Sequence, residues 1–136
     1  MKQIIEDLIE KALHAREKAY VPYSHFKVGC AVLCEDNQIF TGCNIENASY
    51  PAGLCAERVA IFKAVSEGVK KLKLIVVVGG KEKISKYCYP CGMCRQVMRE
   101  FANPKELKIV VAKSKNEYKE YILEELFPEG FGPESL

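Results

Sequence analysis

The chain opens with a helical rhythm. Ile5, Leu8, Ile9, Ala12 and Leu13 recur at i, i+3 and i+4 spacing with charges between them. That pattern predicts an amphipathic helix from residue 4 to about 19, stopped by Pro22. Next, Phe26 to Leu33 is rich in β-formers, Glu35-Asp36-Asn37 is turn-like, and Gln38 to Ile45 returns. A hairpin is expected there. Asn47 to Gly53 is a loop by composition. Ala56 to Val65 is apolar almost all round, which predicts a buried helix ended by Gly68. Leu72 to Val78 is a continuous apolar run, the mark of a strand covered on both faces. A further helix opens at Pro90-Cys91 and runs through Val97, Met98 and Phe101. Leu107 to Ala112 reads as a strand, Tyr118 to Tyr121 as a short edge strand, and Ile122 to Phe127 as a brief helix ended by Pro128. The tail from Phe131 to Leu136 is expected to gain order only by docking.

Composition narrows the class. The 136 residues fit one domain, 1–136, and 49% hydrophobic content is enough for a real core. The formal net charge is +2, with both signs spread along the chain. A dedicated nucleic-acid binder gathers Lys and Arg on one face, so nucleic acid is not expected as a partner. No apolar run approaches the roughly 20 residues of a membrane span. The N-terminus turns acidic at once without a signal-peptide shape, so a cytoplasmic location is the default expectation. Seven cysteines, an odd count without a leader, speak against a disulfide framework. Cys30, Cys34 and Cys43 are expected to be free thiols packed as small hydrophobes.

The other cysteines change the picture. Cys55-Ala-Glu57-Arg58 and Pro90-Cys91-Gly-Met-Cys94-Arg95 stand apart in sequence, and each lies at a predicted helix start. Cys91 and Cys94 share a helical face at i, i+3. Three thiolates, Cys55, Cys91 and Cys94, would leave the fourth position of a tetrahedral Zn²⁺ open, as catalytic sites do. Glu57, two residues from a ligand and not itself one, is then placed to carry a proton to and from bound water. Helix N-termini favour thiolates, and Arg58 and Arg95 would further offset their negative charge. Two other uses of the cysteines stay open: a redox C-x-x-C, and a closed structural site with Cys88 or His25 as fourth ligand. The closed site leaves Glu57 without a role. Asn44 and Glu46 are two apart on the return strand. They would share a face and grip hydroxyl groups, or line a solvated edge. The spacing C-x-E, a gap of about thirty residues, then P-C-x-x-C matches the zinc-deaminase signature.

With these motifs the chain resembles the small homotetrameric cytidine deaminases along nearly its whole length. The marks are Pro22-Tyr23-Ser24, Phe26-Lys-Val-Gly29, Gly42-Cys-Asn-Ile-Glu-Asn47, the two cysteine motifs, Glu125-Leu-Phe-Pro128 and Phe131. The resemblance implies an α/β fold, a three-layer α/β/α sandwich with a mixed sheet of about five strands. It implies one Zn²⁺ per chain on Cys55, Cys91 and Cys94, and proton transfer by Glu57. It places Asn44 and Glu46 on the ribose, Phe26 in the pyrimidine pocket and the Ala56 backbone on the base. Tyr50 and Phe131 would reach across subunit interfaces of a homotetramer. The implied reaction is hydrolytic deamination of cytidine and deoxycytidine, a step of pyrimidine salvage. The alternatives are a deaminase of a cytosine-bearing antibiotic and a non-catalytic zinc scaffold. Tyr89, Met93 and Phe127 depart from the family's usual residues, and Cys88 is an extra thiol near the metal motif.

Overall fold

The computed structural model describes residues 1–136. Its first element, α1 (Lys2–Arg16), buries Ile5, Leu8, Ile9 and Ala12, the stripe the periodicity predicts. The helix ends about three residues sooner than expected, and well before Pro22. Arg16 is pulled inward as the end is reached. Its guanidinium donates to the carbonyls of Lys27 (3.1 Å), Gly80 (2.9 Å) and Lys81 (2.7 Å). Beyond it the chain tightens through Lys18 N–H to Ala15 O and Ala19 N–H to Arg16 O, and Tyr20 N–H then reaches Asn44 O.

Five strands form one sheet in the order β2-β1-β3-β4-β5. They are β1 (Lys27–Cys34), β2 (Ile39–Cys43), β3 (Leu72–Gly80), β4 (Lys108–Ser114) and β5 (Glu117–Ile122). β1 pairs antiparallel with both β2 and β3, β3 pairs parallel with β4, and β4 pairs antiparallel with β5. The sheet is therefore mixed, as expected. Parallel pairing of β3 with β4 requires a crossover. That crossover carries α3 (Gly92–Glu100), while α2 (Ala56–Ser66) leads into β3 and α4 (Leu123–Leu126) follows β5.

Helices cover both faces. Leu74, Val76 and Val78 of β3 pack on the α1 side with Ala31, Leu33, Val110 and Ala112. Ile75 and Val77 face the other way, with Ala56, Ala60, Ile61 and Ala64 of α2 and Cys94 and Met98 of α3. The apolar run of β3 is continuous because both of its faces are core. Cys30 and Cys34 are buried free thiols and Cys43 is half-buried. The tail folds into a short 3₁₀ turn at Pro133–Ser135. It docks on α3 through an Arg99–Glu134 ion pair and a bond from Gln96 Nε2 to Phe131 O (2.9 Å). No helix is long and apolar enough to cross a membrane.

One close approach sets the geometry of the site. A Cβ on Gly42 of β2 would lie 2.6 Å from Ala56 O and 2.7 Å from Ala60 N. Only glycine lets β2 lie this close to the backbone of α2.

Candidate metal centre and active site

Cys55 is the N-cap of α2 and Cys91 the N-cap of α3, both in extended backbone and neither using its side chain as a cap. Their sulfurs turn towards each other instead, 3.7 Å apart. Cys94, buried in the first turn of α3, completes a trio whose sulfurs all lie within 4.8 Å of one another. Thiolates sharing one tetrahedral zinc at about 2.3 Å sit about 3.8 Å apart, so the trio fits that ion. The donor set agrees, since soft sulfur ligands suit zinc.

Electrostatics give a second test of fit. The Cys94 thiol, then Arg58 and Cys91, favour the Cys55 thiolate and pull it well below the ordinary thiol value, against burial. Cys94 is pushed far up, first because its own proton bonds the Cys55 sulfur and then by burial. Three thiols packed this tightly cannot all ionise without a cation. Arg58 contributes part of the compensation, its Nη2 donating to Cys55 Sγ at 3.4 Å. Its Nε is buried and has no partner. Arg95 acts elsewhere: Nε donates to Pro90 O (2.7 Å) and Nη1 to Leu126 O (2.6 Å), bracing the turn that presents Cys91.

Glu57 lies in the first turn of α2 and is only 3% exposed. Burial, reinforced by the Cys55 thiolate, raises its carboxyl from an ordinary 4.5 to about 7. Ala56 beside it is fully buried. Cys88 is outside the sulfur trio. Burial pushes its thiol up to about 12, so it stays protonated. Its sulfur packs by Gly79, where an added Cβ would lie 2.8 Å away and 3.2 Å from the Phe26 ring. The missing side chain at Gly79 thus brings Phe26 and Cys88 together over the end of β3.

A cavity of about 420 Å³ opens beside Cys55 and Arg58 and is also lined by Tyr23, Ser24, Asn44, Glu46 and Tyr50. β2 stops at Cys43, yet the chain stays extended. Asn44 O and Glu46 N–H bond to Tyr20, and Ile45 bonds Leu54 in both directions. Asn44 and Glu46 line one cavity, but Ile45 and Asn47 line it as well, so the two-residue alternation expected of a strand does not select them. Asn44 Nδ2 donates to Phe26 O (2.8 Å) and its Oδ1 accepts from Val28 N–H (2.9 Å). Glu46 Oε1 accepts from the N–H groups of Tyr23 (3.0 Å) and Ser24 (3.2 Å), while Oε2 accepts from the Ser24 hydroxyl. The Ser24 hydroxyl, with those N–H groups and His25, holds the Glu46 carboxyl below the usual range.

Residues 2–111 match the sequence profile described as the cytidine and deoxycytidylate deaminase zinc-binding region. The chain belongs to the cytidine deaminase family. It is 46% identical over 133 residues to the cytidine deaminase of Sporosarcina psychrophila, covering 97% of this chain and 94% of that one. With the cytidine deaminase of Halalkalibacterium halodurans it shares 44% over 129 residues, 95% of each chain. The crystal structure of cytidine deaminase from Burkholderia pseudomallei superposes with a TM-score of 0.83 at 43% identity, covering 92% of this chain and 97% of that one. In this family member the cysteine trio is the zinc centre, with room for one ion per chain. Of the other residues expected at the site, Asn44, Glu46, Tyr50 and Arg58 meet Cys55 at the cavity. Glu57 and Ala56 are buried in the first turn of α2 and, like Phe26, are not among the residues that line it. Phe131 sits apart on the docked tail, 56% exposed. Sequence reasoning missed Tyr23 and Ser24 as cavity residues. Their motif was visible, but their bonds to Glu46 span more than twenty residues.

Proposed function

We propose that the protein hydrolyses cytidine and 2′-deoxycytidine to uridine and 2′-deoxyuridine with release of ammonia. The observation that carries this is the cluster of the Cys55, Cys91 and Cys94 sulfurs with a buried carboxyl, Glu57, two residues from the first of them. A zinc ion held by Cys55, Cys91 and Cys94 supplies a Lewis acid that makes water acidic near neutral pH. Glu57 takes a proton from water and delivers it to N3 of cytosine, which makes C4 electrophilic. The water oxygen adds to C4. Glu57 then carries the second proton to the amino group, and ammonia leaves as the C4 carbonyl forms.

Asn44 and Glu46 bind the sugar hydroxyls, Phe26 lines the pyrimidine pocket and the Ala56 backbone holds the base. Arg58 and Arg95 support the thiolates, Arg58 directly and Arg95 through the Pro90 turn. Tyr50, at 75% exposed, and Phe131 are large side chains left uncovered by their own chain. On the family resemblance we assign them to subunit contacts of a homotetramer, in which each completes a neighbour's site. We place this single-domain enzyme in the cytoplasm, in pyrimidine salvage.

The test is zinc content together with uridine and ammonia release, for wild type and Glu57→Gln side by side. Both are expected to bind about one zinc per chain, with turnover only in the wild type. A zinc-loaded wild type that leaves cytidine and deoxycytidine untouched would overturn the assignment in favour of an antibiotic deaminase or a scaffold.

A further inference from the structure

The hydrogen bonds around Glu46 are nearly complete without any ligand. A carboxylate offers about four acceptor positions. Two on Oε1 are filled by the N–H groups of Tyr23 and Ser24, and one on Oε2 by the Ser24 hydroxyl. One position on Oε2 is left. Asn44, with one N–H given to Phe26 O and one lone pair to Val28 N–H, keeps one donor and one acceptor. The pair therefore presents two acceptors and one donor to the cavity, which complements two adjacent hydroxyls.

Ser24 is the joint of this arrangement. Its hydroxyl donates to Glu46 Oε2 and accepts the Phe26 N–H at 3.0 Å. Between them His25 adopts a left-handed conformation at φ 60°, which a non-glycine residue holds only when its neighbours fix it. Its N–H bonds Val21 O at 3.0 Å. The loop thus wraps the Glu46 carboxylate and reaches Phe26 through one side-chain oxygen.

We propose that Ser24 is a positioning residue, aiming the one open acceptor of Glu46 at a substrate sugar hydroxyl and tying that grip to the backbone of Phe26. The inference rests on the sugar-binding assignment of Glu46 made above. Without its hydroxyl, Oε2 is free to rotate its lone pairs towards water, and discrimination for the hydroxylated sugar falls.

The experiment measures kcat/KM of the zinc-loaded protein on cytidine and on 2′,3′-dideoxycytidine, for wild type, Ser24→Ala, Ser24→Thr and Glu46→Gln. The readout is the ratio of the two values. Ser24→Ala is expected to lower that ratio roughly tenfold, the worth of one charge-assisted hydrogen bond. Ser24→Thr, which keeps the hydroxyl, restores it. A merely structural role for Ser24 would depress both substrates alike and leave the ratio unchanged, overturning the proposal. If the ratio falls in Glu46→Gln but not in Ser24→Ala, only the role of Ser24 is lost. If it holds in Glu46→Gln, or if the wild type turns over neither nucleoside, the underlying assignment fails and takes the inference with it.

Discussion

The two helix starts that bring the cysteines together use the same device in different surroundings. Cys55 and Cys91 are both extended N-caps. At α2 the following turn is buried: Ala56 and Glu57 are sealed in and Arg58 turns back to the Cys55 sulfur. At α3 the following turn is open, with Gly92 and Met93 exposed, and only Cys94 faces inward. Its outer face is spent on the tail, through Gln96 and Arg99. One helix start therefore holds a proton and a counter-charge beside its thiol. The other supplies two sulfurs and an anchor for distant chain. A pair of ligating helices can share a metal while dividing the remaining work.

The largest expected effect treats both starts alike. Cys55→Ala and Cys91→Ala should each lose zinc on dialysis and lose turnover with it, by metal analysis and ammonia release. Retention of zinc by Cys91→Ala would mean that Cys88 can stand in, and the division drawn above would not hold.

Next in size is an effect confined to α2. The Glu57 carboxyl is raised from 4.5 to about 7. Between those values the folded metal-free chain holds a proton that the unfolded chain has released. Stability is thus fully present below about 4.5, falls as pH rises to about 7, and is flat beyond. At about 1.4 kcal/mol per pH unit the loss is about 3 kcal/mol. Urea denaturation of chelated protein should show Glu57→Gln gaining about that much on wild type between pH 4 and pH 8. Parallel pH profiles for the two proteins would show that Glu57 is not held up by burial.

The arginines sharpen the contrast further. Arg95→Ala removes two bonds to backbone carbonyls and should destabilise the fold by about 1–3 kcal/mol, read as a lower urea midpoint. Arg58→Ala leaves those bonds in place, so it should weaken zinc retention against a competing chelator more than it lowers the midpoint. Equal profiles for the two variants would erase the distinction. The smallest effect belongs to the tail. Arg99→Ala frees the Glu134 contact, an ion pair with one exposed partner worth about 1 kcal/mol at most. It should make residues beyond 128 more open to protease while zinc content holds.

Much of this was legible along the chain, for reasons that differ by element. β3 could be read because both of its faces are core, and the Cys91–Cys94 pair because i, i+3 spacing is local; Cys55, thirty-six residues before Cys91, joined them only through the signature and the family resemblance. The arginines were half legible. Arg58 is three residues after Cys55 and Arg95 four after Cys91, so helical spacing alone places each on the face of a ligand. What separates them is not local: Arg95 is drawn to Leu126 O, thirty-one residues on, whereas Arg58 returns to the Cys55 sulfur. The end of α1 was not readable, since the carbonyls that draw Arg16 inward lie up to sixty-five residues away. Ser24 belongs to the same class, because its partner Glu46 is twenty-two residues on.

Gly42 has a last consequence. Asn44 and Glu46 leave directly from the strand that carries it, and Cys55 and Glu57 sit on the helix it touches. The span from Asn44 and Glu46 to the cysteine trio is therefore a ruler whose zero mark is main chain resting on main chain. Side-chain exchange can repaint the walls of the cavity, but it cannot shorten that ruler, and even one added methyl group at position 42 would lengthen it.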